Sequence, residues 1–197
     1  MMDNNFSEKV SALILCGGHA KRLNGIDKGL LQWQGKFLVK IIIDELLKSC
    51  SRIMINANHN INRYAQFSYP IISDEITGYA GPLAGIHAGL QQLRTEYLLI
   101  VPCDCPFFKI ELAHELYTNL INSANKDIAV ASHNNQIQPL FLLLNARLLA
   151  QLERYLSSGQ RKAGDWILSQ DPVLVNFSNE QYFININTYE DERKHLN

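Results

Sequence analysis

Residues 13–31 read "LILCGGHAKRLNGIDKGLL". An apolar run ends in a double glycine, and three cations, Lys21, Arg22 and Lys28, follow it. Together with Ser11 and Ala12 the run "SALILC" has the length and apolar continuity of a strand buried on both faces. Glycines at the carboxyl end of such a strand let backbone N–H groups approach an anion with no Cβ in the way. Lys and Arg nearby supply charge-assisted donors. The stretch is neither a P-loop, which needs G-x-x-x-x-G-K-[ST], nor a dinucleotide fingerprint, which needs G-x-G-x-x-G. It is a phosphate-holding turn of another kind, or an ordinary strand-to-helix turn with solvated cations.

The same alternation continues along the chain. "IMINA" (53–57), "YPIIS" (69–73), "YLLIVP" (97–102), "DIAVA" (127–131) and "PLFLLL" (139–144) read as strands. Between and after them lie helical stripes in "FLVKIIIDELLKSC", "LAGIHAGLQQL", "IELAHELYTNLI" and "ARLLAQLERYL". This order implies an α/β domain with a mostly parallel sheet and helices on both faces. No linker or repeat interrupts it, so residues 1–197 are expected to form one domain, with 1–8 a flexible N-terminus. Ligands of such sheets bind beyond the carboxyl ends of the strands. The strand 97–102 delivers "PCDCP", and with it Asp104, to that edge.

Bulk properties exclude several classes. The chain has 197 residues, 47% of them apolar, and a net charge of −1, so no global basic field invites nucleic acid. The apolar runs are too short to span a bilayer and the N-terminus is polar and acidic, which reads as cytoplasmic, without membrane association. The cysteines, Cys16, Cys50, Cys103 and Cys105, contain no C-x-x-C pair, which argues against structural zinc. A lone Asp104 at a strand tip suits a hard cation such as Mg²⁺, which takes one or two carboxylates plus substrate phosphates. A solvated turn or a helix cap is the plainer reading of that residue. The six histidines are scattered, and no Ser-His-Asp or paired-carboxylate arrangement is evident. Arg161 and Lys162 form a second basic spot before a helix, able to meet an anionic cofactor or only water. Trp166 reads as core rather than as a stacking platform.

The residues quoted so far, with "INAN" (55–58), "ISDEI" (72–76), "YAGPLAGIHAGL" (79–90), "VPCDCPF" (101–107) and "FININTYED" (183–191), resemble the molybdenum cofactor guanylyltransferases in order over nearly the whole chain. The resemblance implies a Rossmann-like nucleotidyltransferase fold, Mg²⁺, and transfer of GMP from GTP to molybdenum-bearing molybdopterin with release of diphosphate. It also implies contacts with cofactor-biosynthesis and molybdoenzyme-maturation proteins. Position by position, it implies that Leu15, Cys16 and Gly17 hold the nucleotide by backbone contacts and that Lys28 binds phosphates. Asn56 and Asp74 contact the nucleoside, Asp104 binds nucleotide and Mg²⁺, and Arg22 is the loop arginine. Gly81, Pro82 and Gly85 match a second glycine motif; Asn185 and Asn187 match paired asparagines at the far side of the site and are, with Arg161 and Lys162, candidates for meeting the pterin. Cys16 stands for the usual alanine, Asn24 for a glycine and Leu23 for methionine. The rivals are a cytidylyltransferase acting on the same cofactor or on a sugar or polyol phosphate, and a non-catalytic nucleotide-binding module. A glycosyltransferase fits less well, because "CDC" lacks the second Asp of a D-x-D site.

Overall fold

A computed structural model describes residues 5–17, 27–76, 81–188 and 191. Its elements run α1 (Phe6–Lys9), β1 (Val10–Leu15), a 3₁₀ turn (Lys28–Leu30), β2 (Gln32–Trp33), β3 (Lys36–Phe37), α2 (Leu38–Leu46), β4 (Ile53–Asn56), α3 (Ile61–Ala65) and β5 (Ile71–Ile72). They continue with α4 (Pro82–Gln91), β6 (Tyr97–Pro102), α5 (Ile110–Ile121), β7 (Ile128–His133), β8 (Gln136–Asn145), α6 (Leu149–Ser157), α7 (Ala163–Ser169) and β9 (Val173–Asn176).

Seven strands form one sheet in the order β5-β4-β1-β6-β8-β7-β9. All pairings are parallel except those of β8, which runs against both β6 and β7. The reversal starts in a two-residue connection, Asn134-Asn135, with φ of 49° and 61°. Asparagine tolerates that left-handed region, and two such residues make the turn whose twist matches a hairpin. The central strands β1 and β6 are buried along nearly their whole length because helices cover both sheet faces. Val10, Ala12 and Ile14 point to the side where Val39, Ile42, Ile43 and Leu46 of α2 and Leu112, Leu116 and Leu120 of α5 pack. Leu13 points the other way, into a second cluster with Leu83, Ile86 and Leu90 of α4, Leu152 and Leu156 of α6 and Trp166 of α7.

The expected α/β architecture is therefore present, with three differences. Residues 6–8, expected within a flexible N-terminus, belong to α1, because Phe6 packs in the core against the rings of His114 and Tyr117. The strand expected at 69–73 pairs only over Ile71 and Ile72, at the sheet edge. β9 was not among the expected strands; its apolar run, Val173 to Val175, is short, and only Val175 of its four residues is buried.

Candidate active site

β1 and β6 are parallel neighbours with Leu15 opposite Pro102, so their carboxyl ends deliver Cys16-Gly17 and Cys103-Asp104 side by side. The Cys103 N–H donates to the Leu15 carbonyl (3.2 Å). On the other flank β4 places Asn56 opposite Leu15, and the Cys16 N–H donates to the Asn56 carbonyl (2.8 Å). The rim of the sheet therefore collects Leu15, Cys16, Gly17, Asn56 and Asp104 from three adjacent strands, with Asp74 just beyond β5.

One half of this rim is a hydrogen-bonded platform. Asn56 is buried, and its Nδ2 donates to the Ile72 carbonyl (3.1 Å) and to Asp74 Oδ1 (2.8 Å). Asn58 makes a reciprocal pair with Asp74: Nδ2 donates to Asp74 Oδ2 (2.8 Å) and Oδ1 accepts the Asp74 N–H (2.8 Å). Two glycines make room for these amides. A Cβ on Gly17 would lie 2.8 Å from Asn56 Oδ1 and 2.9 Å from Asn58 Nδ2. A Cβ on Gly85, in α4, would run into the same Asn56 carboxamide and come within 2.9 Å of Leu15 Cδ2. Gly81 starts α4 at φ 61°, a region favouring glycine, with Pro82 at the first helical turn.

The other half is charged. Asp104 is 8% exposed, and Lys28 Nζ donates to its Oδ2 at 2.9 Å. The Asp104 carbonyl accepts the Ile186 N–H (2.7 Å), and the Cys105 thiol donates to Asn185 Oδ1 (2.7 Å), so residues 185–186 dock beside Asp104. The Asn187 N–H is engaged by Asp191 Oδ2 (3.0 Å). Burial and the neighbouring Asp104 push the Cys105 thiol well up. Contact with Cys16, then burial, does the same to Cys103. Neither behaves as a reactive thiolate.

The structure thus brings Leu15, Cys16, Gly17, Lys28, Asn56, Asp74 and Asp104 to one edge of the sheet. Arg22 lies outside the described residues, as do Gly18, His19, Lys21, Asn24 and Gly25 of the same loop. Arg161 uses its guanidinium on the Leu156 and Gln160 carbonyls (2.6 and 2.7 Å), and exposed Lys162 lies 3.7 Å from Asp165. Trp166 is fully buried core. Asn58 was given no role by the sequence reading. Its signal was its place two residues after Asn56, the spacing that puts two side chains on one side of an extended chain. A groove of about 820 Å³ runs along the β4–β5 edge past Arg52, Met54 and Arg94, and reaches this site at Ile72 and Asp74.

Fold and rim define a class: an α/β nucleotidyltransferase. Residues 12–173 match the MobA-like NTP transferase domain. The chain is 39% identical to the molybdenum cofactor guanylyltransferase of Shewanella loihica and 40% identical to that of Shewanella sediminis, in each case over 95% of this chain and 96% of the relative. Among solved structures, the molybdopterin-guanine dinucleotide biosynthesis protein A of Archaeoglobus fulgidus superposes with a TM-score of 0.73 at 23% identity, covering 93% of this chain and 95% of that one. The 4-diphosphocytidyl-2C-methyl-D-erythritol synthase of Anaerococcus prevotii does so with a TM-score of 0.69 at 17% identity, over 95% and 94%. These two likenesses speak to the fold. The chain belongs to the MobA-like NTP transferases, within the molybdenum cofactor guanylyltransferase family.

Proposed function

We propose that this protein transfers GMP from GTP to the terminal phosphate of molybdenum-bearing molybdopterin, releasing diphosphate. The observation that carries the reading is the Lys28–Asp104 pair (2.9 Å) at the carboxyl edge of the sheet, beside the glycine-ended strand β1. An ammonium has three donor positions, and Asp104 Oδ2 uses one, which leaves two for phosphate oxygens. The backbone at Leu15, Cys16 and Gly17 lines the same edge, and the Asn56–Asn58–Asp74 platform beside it takes the nucleoside. Asp74 Oδ1 and Oδ2 each already accept one amide N–H, which leaves the carboxylate oriented and still able to accept. Such an acceptor matches the adjacent N1–H and 2-amino donors of guanine. Cytosine presents a donor beside an acceptor there.

Asp104 is the residue to hold Mg²⁺. No group of three or more His, Cys, Asp or Glu suited to a metal occurs among the described residues. A single carboxylate fits a hard cation that fills the rest of its shell with phosphate oxygens and water. Bound there, Mg²⁺ supplies Lewis-acid charge neutralisation. The attacking phosphate monoester has a second pKa near ~6 and is largely ionised at neutral pH, so the reaction needs no general base. Lys28, with Arg22 of the glycine loop, offsets the negative charge that gathers as two anions approach. Among the described residues no helix is long and apolar enough to cross a membrane. The cytoplasm and cofactor-biosynthesis and molybdoenzyme-maturation proteins are the proposed setting and partners.

The test is incubation with α-labelled GTP, Mg²⁺ and loaded molybdopterin, expecting label in the dinucleotide product. Calorimetric titration with GTP, CTP, ATP and UTP should rank GTP first. Tighter CTP binding, or label transfer from CTP, selects the cytidylyltransferase instead.

A further inference from the structure

Asp27, next to Lys28, carries a set of side-chain contacts to α3. Its carboxylate accepts from the Tyr64 hydroxyl on Oδ1 and from Asn60 Nδ2 (3.0 Å) on Oδ2. Both donors come from one short element, since Asn60 begins α3 and Tyr64 lies in its single turn. An asparagine at a helix start ordinarily caps the helix with its side chain. Asn60 makes no such cap; it takes φ 53° and sends its amide to Asp27. Tyr64 is fully buried, and burial first, then nearby Cys16 and Cys103 and Asp27 itself, raises its pKa, so its hydroxyl remains a donor. Gly29 completes the arrangement: a Cβ there would sit 2.5 Å from the Tyr64 hydroxyl oxygen and 3.2 Å from Cys16 Sγ. The Asp27 carbonyl meanwhile accepts the Leu30 N–H (3.1 Å), closing the turn that contains Lys28.

We infer that Tyr64 and Asn60 clamp Asp27, and that this clamp is what aims the Lys28 ammonium at the phosphate site. Asp27, Asn60 and Tyr64 are positioning residues. The inference rests on the reading that Lys28 binds phosphates, taken here as those beyond the α-phosphate, which GTP has and GMP lacks. A lysine has four rotatable side-chain bonds, so aiming its charge depends on fixing the backbone beneath it. The clamp does so from the α3 side, independently of Asp104. Both hydrogen bonds go to one carboxyl group, and the Tyr64 donor is itself fully buried.

The test separates aim from general loosening. GTP and GMP are titrated into wild type, Tyr64→Phe, Asn60→Gly, Asp27→Asn and Lys28→Ala, with thermal melts of each. Tyr64→Phe keeps the ring volume and removes only the donor. Asn60→Gly removes the other donor at an exposed position whose φ of 53° suits glycine, and keeps the test alive if the core variant folds poorly. The expected result is GTP affinity lowered about tenfold in Tyr64→Phe and Asp27→Asn, with GMP affinity changed by less than about twofold. Turnover should fall, and Asp27→Asn combined with Tyr64→Phe should be little worse than either alone, because both break one contact. If Lys28→Ala lowers the GTP-to-GMP preference and none of the clamp variants does, the clamp is overturned and the phosphate role of Lys28 stands. Equal weakening of GTP and GMP in the clamp variants also overturns it, as that is loosening. If Lys28→Ala leaves the preference unchanged, the underlying reading fails and the inference falls with it.

Discussion

Gly85→Ala should destabilise this protein although it replaces the second-worst helix former with the best. In an unencumbered helix interior the change gains about 1 kcal/mol. Here the new methyl meets the Asn56 carboxamide at a distance no real Cβ tolerates, with Leu15 Cδ2 at 2.9 Å behind it. The amide cannot swing aside freely. It is 2% exposed and tied to the Ile72 carbonyl and Asp74 Oδ1 at 3.1 and 2.8 Å. Moving it breaks one neutral hydrogen bond, worth about 1 kcal/mol, and one to a carboxylate, worth about 1.5–3 kcal/mol. Retreat of α4 instead disturbs Leu83, Ile86 and Leu90 in the core. Loss exceeds gain by about 2 kcal/mol, a fall in urea midpoint of about 1 M at an m-value of about 2 kcal/mol/M. Gly164→Ala in α7 is the control: its Cβ meets only Ile137 Cδ1 at 3.8 Å, so the variant should be neutral or slightly more stable. Nucleotide affinity should fall in Gly85→Ala and hold in Gly164→Ala. Equal stability and affinity in Gly85→Ala and wild type would falsify the view that Asn56 is fixed against this glycine.

Four further outcomes are expected. Lys28→Ala should lose roughly 2–4 kcal/mol of transition-state stabilisation while folding, read as kcat/KM beside a circular dichroism melt; Asp104→Asn should abolish Mg²⁺-dependent turnover yet retain GTP binding, read by titration with and without the metal. In urea, Lys28→Ala should be less stable than Asp104→Asn, because it strands a carboxylate 11% exposed, whereas the lysine left in the other variant is 34% exposed and can turn to water; a larger loss in Asp104→Asn contradicts this. Burial pushes the Cys50 thiol up to about 12, so at pH 8 about one molecule in ten thousand carries its thiolate. Cys50, with the likewise raised Cys103 and Cys105, should resist iodoacetamide in native protein and react on unfolding; fast native labelling at any of them refutes the burial argument.

The sequence shows the sheet because β1 and β6 are apolar at nearly every position, which only a strand covered on both faces requires. It also places Asp104 and the glycine turn at the carboxyl edge of the sheet; that β1 and β6 are neighbours, which brings the two together, is what the structure adds. β9 is a half-exposed edge strand whose apolar run, Val173 to Val175, is only three residues long. Arg161 is a cation before a helix, and the structure adds that its Nη1 donates to the Leu156 and Gln160 carbonyls, which the sequence does not show. Asn58–Asp74 and Tyr64–Asp27 join side chains 16 and 37 residues apart, so no local pattern encodes either contact. The resemblance supplied candidates for the nucleotide site; it was silent on what holds them in place.

The two halves of the rim are built on different physics, and that division fits what each is proposed to meet. The nucleoside side rests on two neutral amides, Asn56 and Asn58, which orient the Asp74 carboxylate and whose own geometry is enforced by two missing Cβ atoms. Shape and donor–acceptor pattern are what distinguish one base from another, and short-range, directional contacts read them. The phosphate side rests on an ion pair, Lys28 with Asp104, one member of which is nearly buried. Phosphates are alike in every nucleoside triphosphate, so charge at this end lowers the barrier without discriminating. A loss on the amide side should therefore blur nucleotide choice, while a loss on the charged side should slow all nucleotides together. The Asp27 clamp lies on the charged side of that division, although its own contacts are directional hydrogen bonds. It lends geometric definition to a long cation that by itself has little.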